Sequence, residues 1–292
     1  MTKKTFLYGA VILTVSGIIS KVLGAIFRLP LANLIGAEGM AYYNGAYPIY
    51  VLLLTVSIAG IPVAISRMVS ERVTFGDHAG AHRIFKVSLA LLIVIGAALF
   101  AVLYFGAGSI TGSVNSLGGS VHAMRAIAPA LFFVSLLSVF RGYFQGMQDM
   151  KPSAVMQVVE QLFRVIVGLS LAFALVPMGK EFAAAGATFG ATAGGAAALV
   201  CAAVIYYRMK RRGMADRISE SRAKNEAGGI APQAVGNIMS TFAIIAIPIT
   251  IGEIIMPVMQ NIDLLIVTRR LSDMGLDPVQ VRSLYGQLTG LA

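Results

Sequence analysis

The sequence predicts an all-α, polytopic membrane protein, and three observations carry that prediction. First, 57% of the 292 residues are hydrophobic and 12% are charged, with mean hydropathy +0.80. A soluble domain is about half apolar and about a quarter charged. Second, the apolar residues gather into seven segments, at about 6–31, 44–66, 84–107, 122–145, 153–177, 182–207 and 235–268. Each is long enough for the roughly 20 residues that cross a bilayer as a helix. Third, basic residues alternate between connections. They occupy the N-terminus (Lys3, Lys4), the connection after helix two (Arg67, Arg72, Arg83, Lys86), the one after helix four (Arg141, Lys151) and the one after helix six (Arg208, Lys210, Arg211, Arg212, Arg217, Arg222, Lys224). The stretches 37–43 and 107–121 hold none, and the turn between helices five and six holds only Lys180. Excess Lys/Arg marks the cytoplasmic side, so the N-terminus and the even-numbered connections are predicted to be cytoplasmic.

This asymmetry also accounts for the net charge of +10 without a nucleic-acid partner. Membrane lipids are the expected surroundings, in a bacterial cell membrane. The first segment is too long for a cleavable signal peptide and lacks a small-residue cleavage site. Cys201 is the single cysteine, so no intramolecular disulfide is expected. Tryptophan is absent, which leaves tyrosine to supply any aromatic belt.

Taken in order, helix one is uncharged from Phe6 to Ile19 and then carries Lys21 and Arg28 before Gly36. Seven residues is two helical turns, so both cations share a face. Charge at membrane depth is costly and turns toward a bundle interior or a water-filled cavity. The pair therefore reads as a cationic lining of a substrate cavity, with snorkelling or a structural ion pair as the alternative. Pro30, Pro48 and Pro62 in helices one and two, and Pro248 and Pro257 in helix seven, predict kinks or breaks, and Gly60-Ile61-Pro62 marks a bend or a close approach. His78 and His82, four apart beside Asp77, read as a solvated loop face rather than a metal site. His122 stands alone at the outer interface.

Arg125 lies just inside the outer end of helix four. Helix five holds Gln157, Glu160, Gln161 and Arg164 within an apolar run. Glu160 and Arg164, four apart, can form an ion pair on one face or turn one partner to a cavity. In helix six, Gly186, Gly190 and Gly194 recur every fourth residue, the signature of close helix–helix contact rather than of a phosphate loop. Residues 208–234 form a basic linker punctuated by Gly228, Gly229 and Pro232. It divides a six-helix unit, 1–207, from the segment 235–292. Helix seven offers Glu253, Gln260, Asn261 and Asp263, with Glu253 and Asp263 as candidates for ion coupling or as counter-ions. No Ser/His/Asp order, cysteine pair or H-E-x-x-H motif is present, and the outer connections are too short for a catalytic domain. An enzyme is disfavoured, and no cofactor or metal is expected.

With these residues in view, the chain resembles a known family. Ser20-Lys21-Val22-Leu23-Gly24 with Arg28-Leu29-Pro30 and Asn33 through Gly36, Ser57 through Glu71, and Arg141-Gly142-Tyr143-Phe144-Gln145 through Lys151-Pro152 are similar to segments of the oligosaccharidyl-lipid flippases of the MATE-like (MOP) superfamily. The branch is that of stage V sporulation protein B and the MurJ-type lipid II flippases. The resemblance implies two six-helix lobes around a central cavity, with cations of helix one binding a lipid diphosphate. Lys21 matches the first such cation and Arg28 the next. The family's further arginine in helix two is absent from Val51-Leu52-Leu53-Leu54-Thr55, and Arg164 or Arg125 would take its place. The sequence stops after helix seven, at Gly290-Leu291-Ala292, so a C-terminal lobe is expected as a missing partner. The expected function is translocation of a lipid-linked oligosaccharide diphosphate. A MATE-type cation antiporter and an integral membrane glycosyltransferase or polymerase are the rivals.

Overall fold

The computed structural model describes residues 3–112, 119–226, 233–275, 277, 280, 281 and 284. Gly228, Gly229, Pro232 and Gly290–Ala292 lie outside the described residues. The chain is an all-α multi-pass bundle.

The first element, α1 (Lys3–Ile58), is broken at Gly36, with φ 67° and ψ −176°, a backbone region open essentially only to glycine. Sixteen residues separate Phe27 from Tyr43, about 24 Å along a straight helix. Their ring centroids are nonetheless 6.3 Å apart. Gly36 thus folds α1 back on itself, and its two arms are the expected helices one and two.

Helix two is shorter than its apolar segment. The second arm ends at Ile58, and α2 (Ile61–Thr74) begins after Gly60, with Pro62 in its first turn. There the missing proline N–H leaves no partner unsatisfied. The expected proline kink is therefore a helix start. Next come α3 (His78–Gly112), α4 (Ser120–Gly146) and α5 (Lys151–Leu175). A 3₁₀ turn at Val176–Met178 leads into α6 (Lys180–Met209), and a π turn with Gly213 at φ 103° leads into α7 (Ala215–Glu226). Arg67, Arg72, Arg83, Lys86, Arg141 and Arg208, expected in connections, all sit inside helices. The end of α2 and the start of α3 run about two turns beyond their apolar segments, long enough to carry the helix past the hydrocarbon into the head groups. Helix seven is likewise two elements, α8 (Val235–Glu253) and α9 (Ile255–Asp273). Pro257 cannot donate to the Glu253 carbonyl, and the break falls there.

In lipid the helices gain little from hydrophobicity and are held by close packing. Central α4 is the most enclosed span among the described residues, with 72% of its most apolar stretch buried against 17–22% for α3 and α5. Gly142 and Gly146 bring it against the Pro62 and Ser66 carbonyls of α2, where a Cβ would lie 2.9 Å from each oxygen. Thr188 and Thr192 of α6 donate to the Ala123 and Ala126 carbonyls of α4, at 3.0 and 2.8 Å. The most extensive interface joins α5 and α6. Gly186 sits on the backbone of Leu171, Gly190 on the Arg164 carbonyl and Gly194 on the Glu160 carbonyl. The glycine stripe read from the sequence is thus the surface that fixes the rotation of α5. Gly60 meets the backbone of Ala246 in α8, so it is both a bend and a close approach.

Candidate functional site

With α5 pinned from behind by α6, its polar residues turn toward α1. Gln157 accepts from Ser16 Oγ at 3.3 Å, and Gln161 Nε2 lies 3.5 Å from where a Cβ on Gly24 would stand. The small residues of the first arm therefore let two glutamines approach its backbone. Between these helices and α9 lies a cavity of about 560 Å³. Arg28 enters its wall from the first arm of α1, Tyr43 and Tyr47 from the second, Gln161 and Arg164 from α5, and Gln260 and Asp263 from α9. Phe27, Tyr43, Tyr47 and Tyr50 run as an aromatic ladder, with successive centroids 6.3, 5.6 and 6.0 Å apart. Asn261 donates to the Pro48 carbonyl at 3.0 Å and so ties α9 to the second arm.

Behind Arg164 stands a chain of three charges. Glu160 Oε1 accepts from Arg164 Nη2 at 3.3 Å, and Glu160 Oε2 accepts from Arg141 Nη2 of α4 at 2.6 Å. The predicted Glu160–Arg164 pair is present, but it is half of a larger group. Two guanidiniums share one carboxylate, so the group keeps one positive charge. All three side chains are mostly buried, at 26%, 13% and 19% exposure for Arg141, Glu160 and Arg164.

Of the residues singled out from the sequence, the fold brings Arg28, Arg164 and Asp263 to one cavity, with Glu160 immediately behind. Lys21 is exposed on the same face of α1, nearly two turns toward the N-terminus from Arg28, and is not in the cavity wall. Arg125 lies elsewhere, its guanidinium 5.9 Å from the centroid of Tyr104. Glu253 ends α8, exposed and away from the wall. His82 stacks on Phe85 and Tyr206, with Nδ1 3.3 Å from the Tyr206 hydroxyl. Arg141 was missed because it was assigned to a connection. Its signal was the apolar run from Leu131 to Phe140, which carries α4 past it. The cavity tyrosines gave no sign beyond their four-residue spacing, Tyr43 to Tyr47.

In chemical terms the lining offers two guanidiniums from separate helices, one carboxylate on a third, amide side chains and an aromatic wall. Fixed guanidiniums match phosphate oxygens in charge and geometry, and the aromatic wall can take a sugar or isoprenoid face.

Comparisons with known proteins agree with this architecture. Residues 6–276 match the family described as polysaccharide biosynthesis protein. The chain is 32% identical to stage V sporulation protein B of Bacillus subtilis over 292 residues, which is 100% of this chain and 54% of that protein. It is 35% identical to the lipid II flippase MurJ of the same organism over 221 residues, 71% of this chain and 40% of that one. The chain thus spans about half the length of the curated relatives it matches. Among solved structures, a MATE transporter in a straight conformation superposes with TM-score 0.71 at 15% identity, covering 99% of this chain and 63% of that one. A MOP-superfamily transporter from Pyrococcus furiosus, described by the reversed polarity of its binding pocket, superposes with TM-score 0.66 at 15% identity, covering 95% and 64%.

Proposed function

The chain belongs to the polysaccharide biosynthesis protein family, and we propose that it forms the substrate-binding half of a transporter carrying a lipid-linked oligosaccharide diphosphate from the inner to the outer leaflet. The observation that carries this reading is the pairing of Arg28 and Arg164, from α1 and α5, in one cavity wall. A diphosphate needs compensating charge inside the membrane, and two guanidiniums on separate helices can hold it from two sides. Lys21, on the same face of α1, receives the head group on its way in. The flippase named among the relatives supports the same reading.

The proposed organisation is a six-helix lobe over 1–207, the linker 208–234, and the opening of a second lobe from 235. Transport proceeds by rocking of the lobes about the cavity. Asp263, on the second-lobe side, is the counter-charge that the incoming anion displaces, and Glu253 is a further coupling candidate. A cation antiporter of the same fold would need an excess of acid, whereas this lining holds two arginines and one aspartate.

The test is outward movement of a lipid-linked cell-wall precursor in cells depleted of their own flippase. The protein is compared with Arg28→Ala and Arg164→Gln at matched membrane levels. Movement restored by the parent and reduced at least about tenfold in each variant is expected, since a charged hydrogen bond is worth roughly 1.5–3 kcal/mol. Restoration by both variants would overturn the diphosphate site.

A further inference from the structure

Arg141 never reaches the cavity, yet the geometry points to it as the residue that keeps the cavity cationic. We infer that Arg141 is a positioning residue that takes up the charge of Glu160 from behind, leaving that of Arg164 for an anionic substrate.

The basis is how one carboxylate is divided. Glu160 and Arg164 are four apart on α5, and left to themselves would form a neutral pair. A neutral pair in the wall gives an anion no net attraction. Arg141 changes this from outside the wall. Its Nη2 is 2.6 Å from Glu160 Oε2, while Arg164 Nη2 is 3.3 Å from Oε1. The tighter bond, at a distance expected for a strong charge-assisted contact, belongs to the arginine that does not line the cavity. The looser bond belongs to the one that does. Two cations and one carboxylate leave a single positive charge, and of the three side chains Arg164 is the one that lines the cavity.

The surrounding backbone holds this division in place. Gly194 and Gly190 of α6 rest on the carbonyls of Glu160 and Arg164, so α5 cannot rotate to exchange the partners. The same α6 also holds α4, through the Thr188 and Thr192 hydrogen bonds and the contact of Gly195 with Phe133 and Val134, which sets the distance across which Arg141 reaches Glu160. The Nε atoms of Arg141 and Arg164 are buried with no hydrogen-bond partner among the described residues. Each guanidinium is thus held to Glu160 through one terminal nitrogen, with donors remaining on Arg164.

This inference rests on the reading of the cavity as an anion site, and its test separates the two. Cys201 is replaced by Ala, and Gln260→Cys places a single thiol in the cavity wall of the purified protein. The rates of reaction with anionic and cationic methanethiosulfonate reagents are then compared, because their ratio reports the local potential whatever the substrate is. Arg141→Met should lower the anionic-to-cationic ratio at least about fivefold, as expected for loss of one nearby unit charge in a partly shielded site. Glu160→Gln should raise it by a similar factor. The double variant Arg141→Met/Glu160→Gln should return it to the parent value, and Arg141→Lys should leave it close to parental. A merely structural Arg141 would not be rescued by removing a second charge. If the ratio does not move in Glu160→Gln, or is not restored in the double variant, the inference fails. This holds even if Arg141→Met alone does not fold. In the same assay, farnesyl diphosphate should slow labelling in the parent. If it does not, the diphosphate reading falls while the ratios still decide the role of Arg141.

Discussion

At the scale of single residues, the firmest polar centre outside the cavity is Asp77, between α2 and α3. Its side chain is 1% exposed and bonded to Arg72 at 3.0 Å. It also accepts from the Gly80 N–H, Ser221 Oγ and Asn225 Nδ2, at 2.8, 3.3 and 2.9 Å. Burial acts to raise its pKa, but the Gly80 N–H, the Asn225 amide and Arg72 outweigh burial and hold it below the ordinary 3.8. A carboxyl with a depressed folded pKa contributes stability above its unfolded value and loses it as pH falls through the folded value. The clasp between α7 and the α2–α3 turn should therefore be complete at neutral pH and open only below about pH 3.8. Asp77→Asn should open it at pH 7, weakening contacts to a charged group worth roughly 1.5–3 kcal/mol. Tryptic cleavage at Arg217 and Arg222 should then run at least about tenfold faster than in the parent. An unchanged rate would show that α7 is held by its apolar side alone. Asp77 was legible only as a neighbour of two histidines, because its partners Ser221 and Asn225 lie more than 140 residues away. Sequence spacing reveals partners on one helix, such as Glu160 and Arg164, and not those across the fold.

Among whole elements, what the sequence disclosed follows from the bilayer. Each span needs about 20 apolar residues and few charges, so all seven apolar segments correspond to helices. Their ends were less legible, since polar residues beyond the hydrocarbon continue a helix as readily as they leave it. Arg67, Arg83 and Arg141 are the cases in point. The fold-back at Gly36 falls between apolar segments one and two, whereas the breaks at Gly60 and Ile254 fall inside segments and depend on close approach or proline geometry, which a hydropathy profile does not register. The glycine stripe of α6 was legible because its four-residue period is local. It also supplies a sharp test. A valine at Gly190 would drive its Cβ into the Arg164 carbonyl and the Gly168 backbone, separating α5 from α6 at the level of the cavity. Gly190→Val should cost about 3 kcal/mol or more by overpacking a close contact, seen as a fall of many degrees in the Tm of detergent-solubilised protein and as lost transport. Gly108→Ala, whose Cβ meets nothing within 4 Å, should be neutral or slightly stabilising. At Gly36 a Cβ also meets nothing, so Gly36→Ala should carry only the backbone cost of φ 67°, about 1–3 kcal/mol. A larger loss there would mean that the fold-back between the two arms has little backbone freedom.

For the molecule as a whole, the cavity is formed between the bundle of α1–α6 and the single element α9, and among the described residues α9 is joined to that bundle by a much smaller interface than the one between α5 and α6. Asn261 donates to the Pro48 carbonyl, and Leu264 with Val267 packs on Ala41. α8 touches the bundle most closely where Gly60 meets Ala246. These contacts are small beside the glycine-seated interface of α5 and α6, so the α9 side is the wall with least to lose by moving. Alternating access requires such a wall, because one surface of the site must part from the other while the site itself stays intact. If α9 leaves α1 in each cycle, tying them together should stop transport without unfolding the protein. Ala41→Cys with Leu264→Cys, in a background where Cys201 is Ala, places two thiols at that contact. Oxidation, or a short bis-maleimide bridge, should reduce lipid-precursor movement at least about tenfold, and reduction of the disulfide should restore it. The proposed diphosphate binding should survive the bridge, because Arg28 and Arg164 both lie on the bundle side. Undiminished transport in the bridged protein would place the moving surface elsewhere. Loss of binding together with transport would show that α9 shapes the site, rather than gating it.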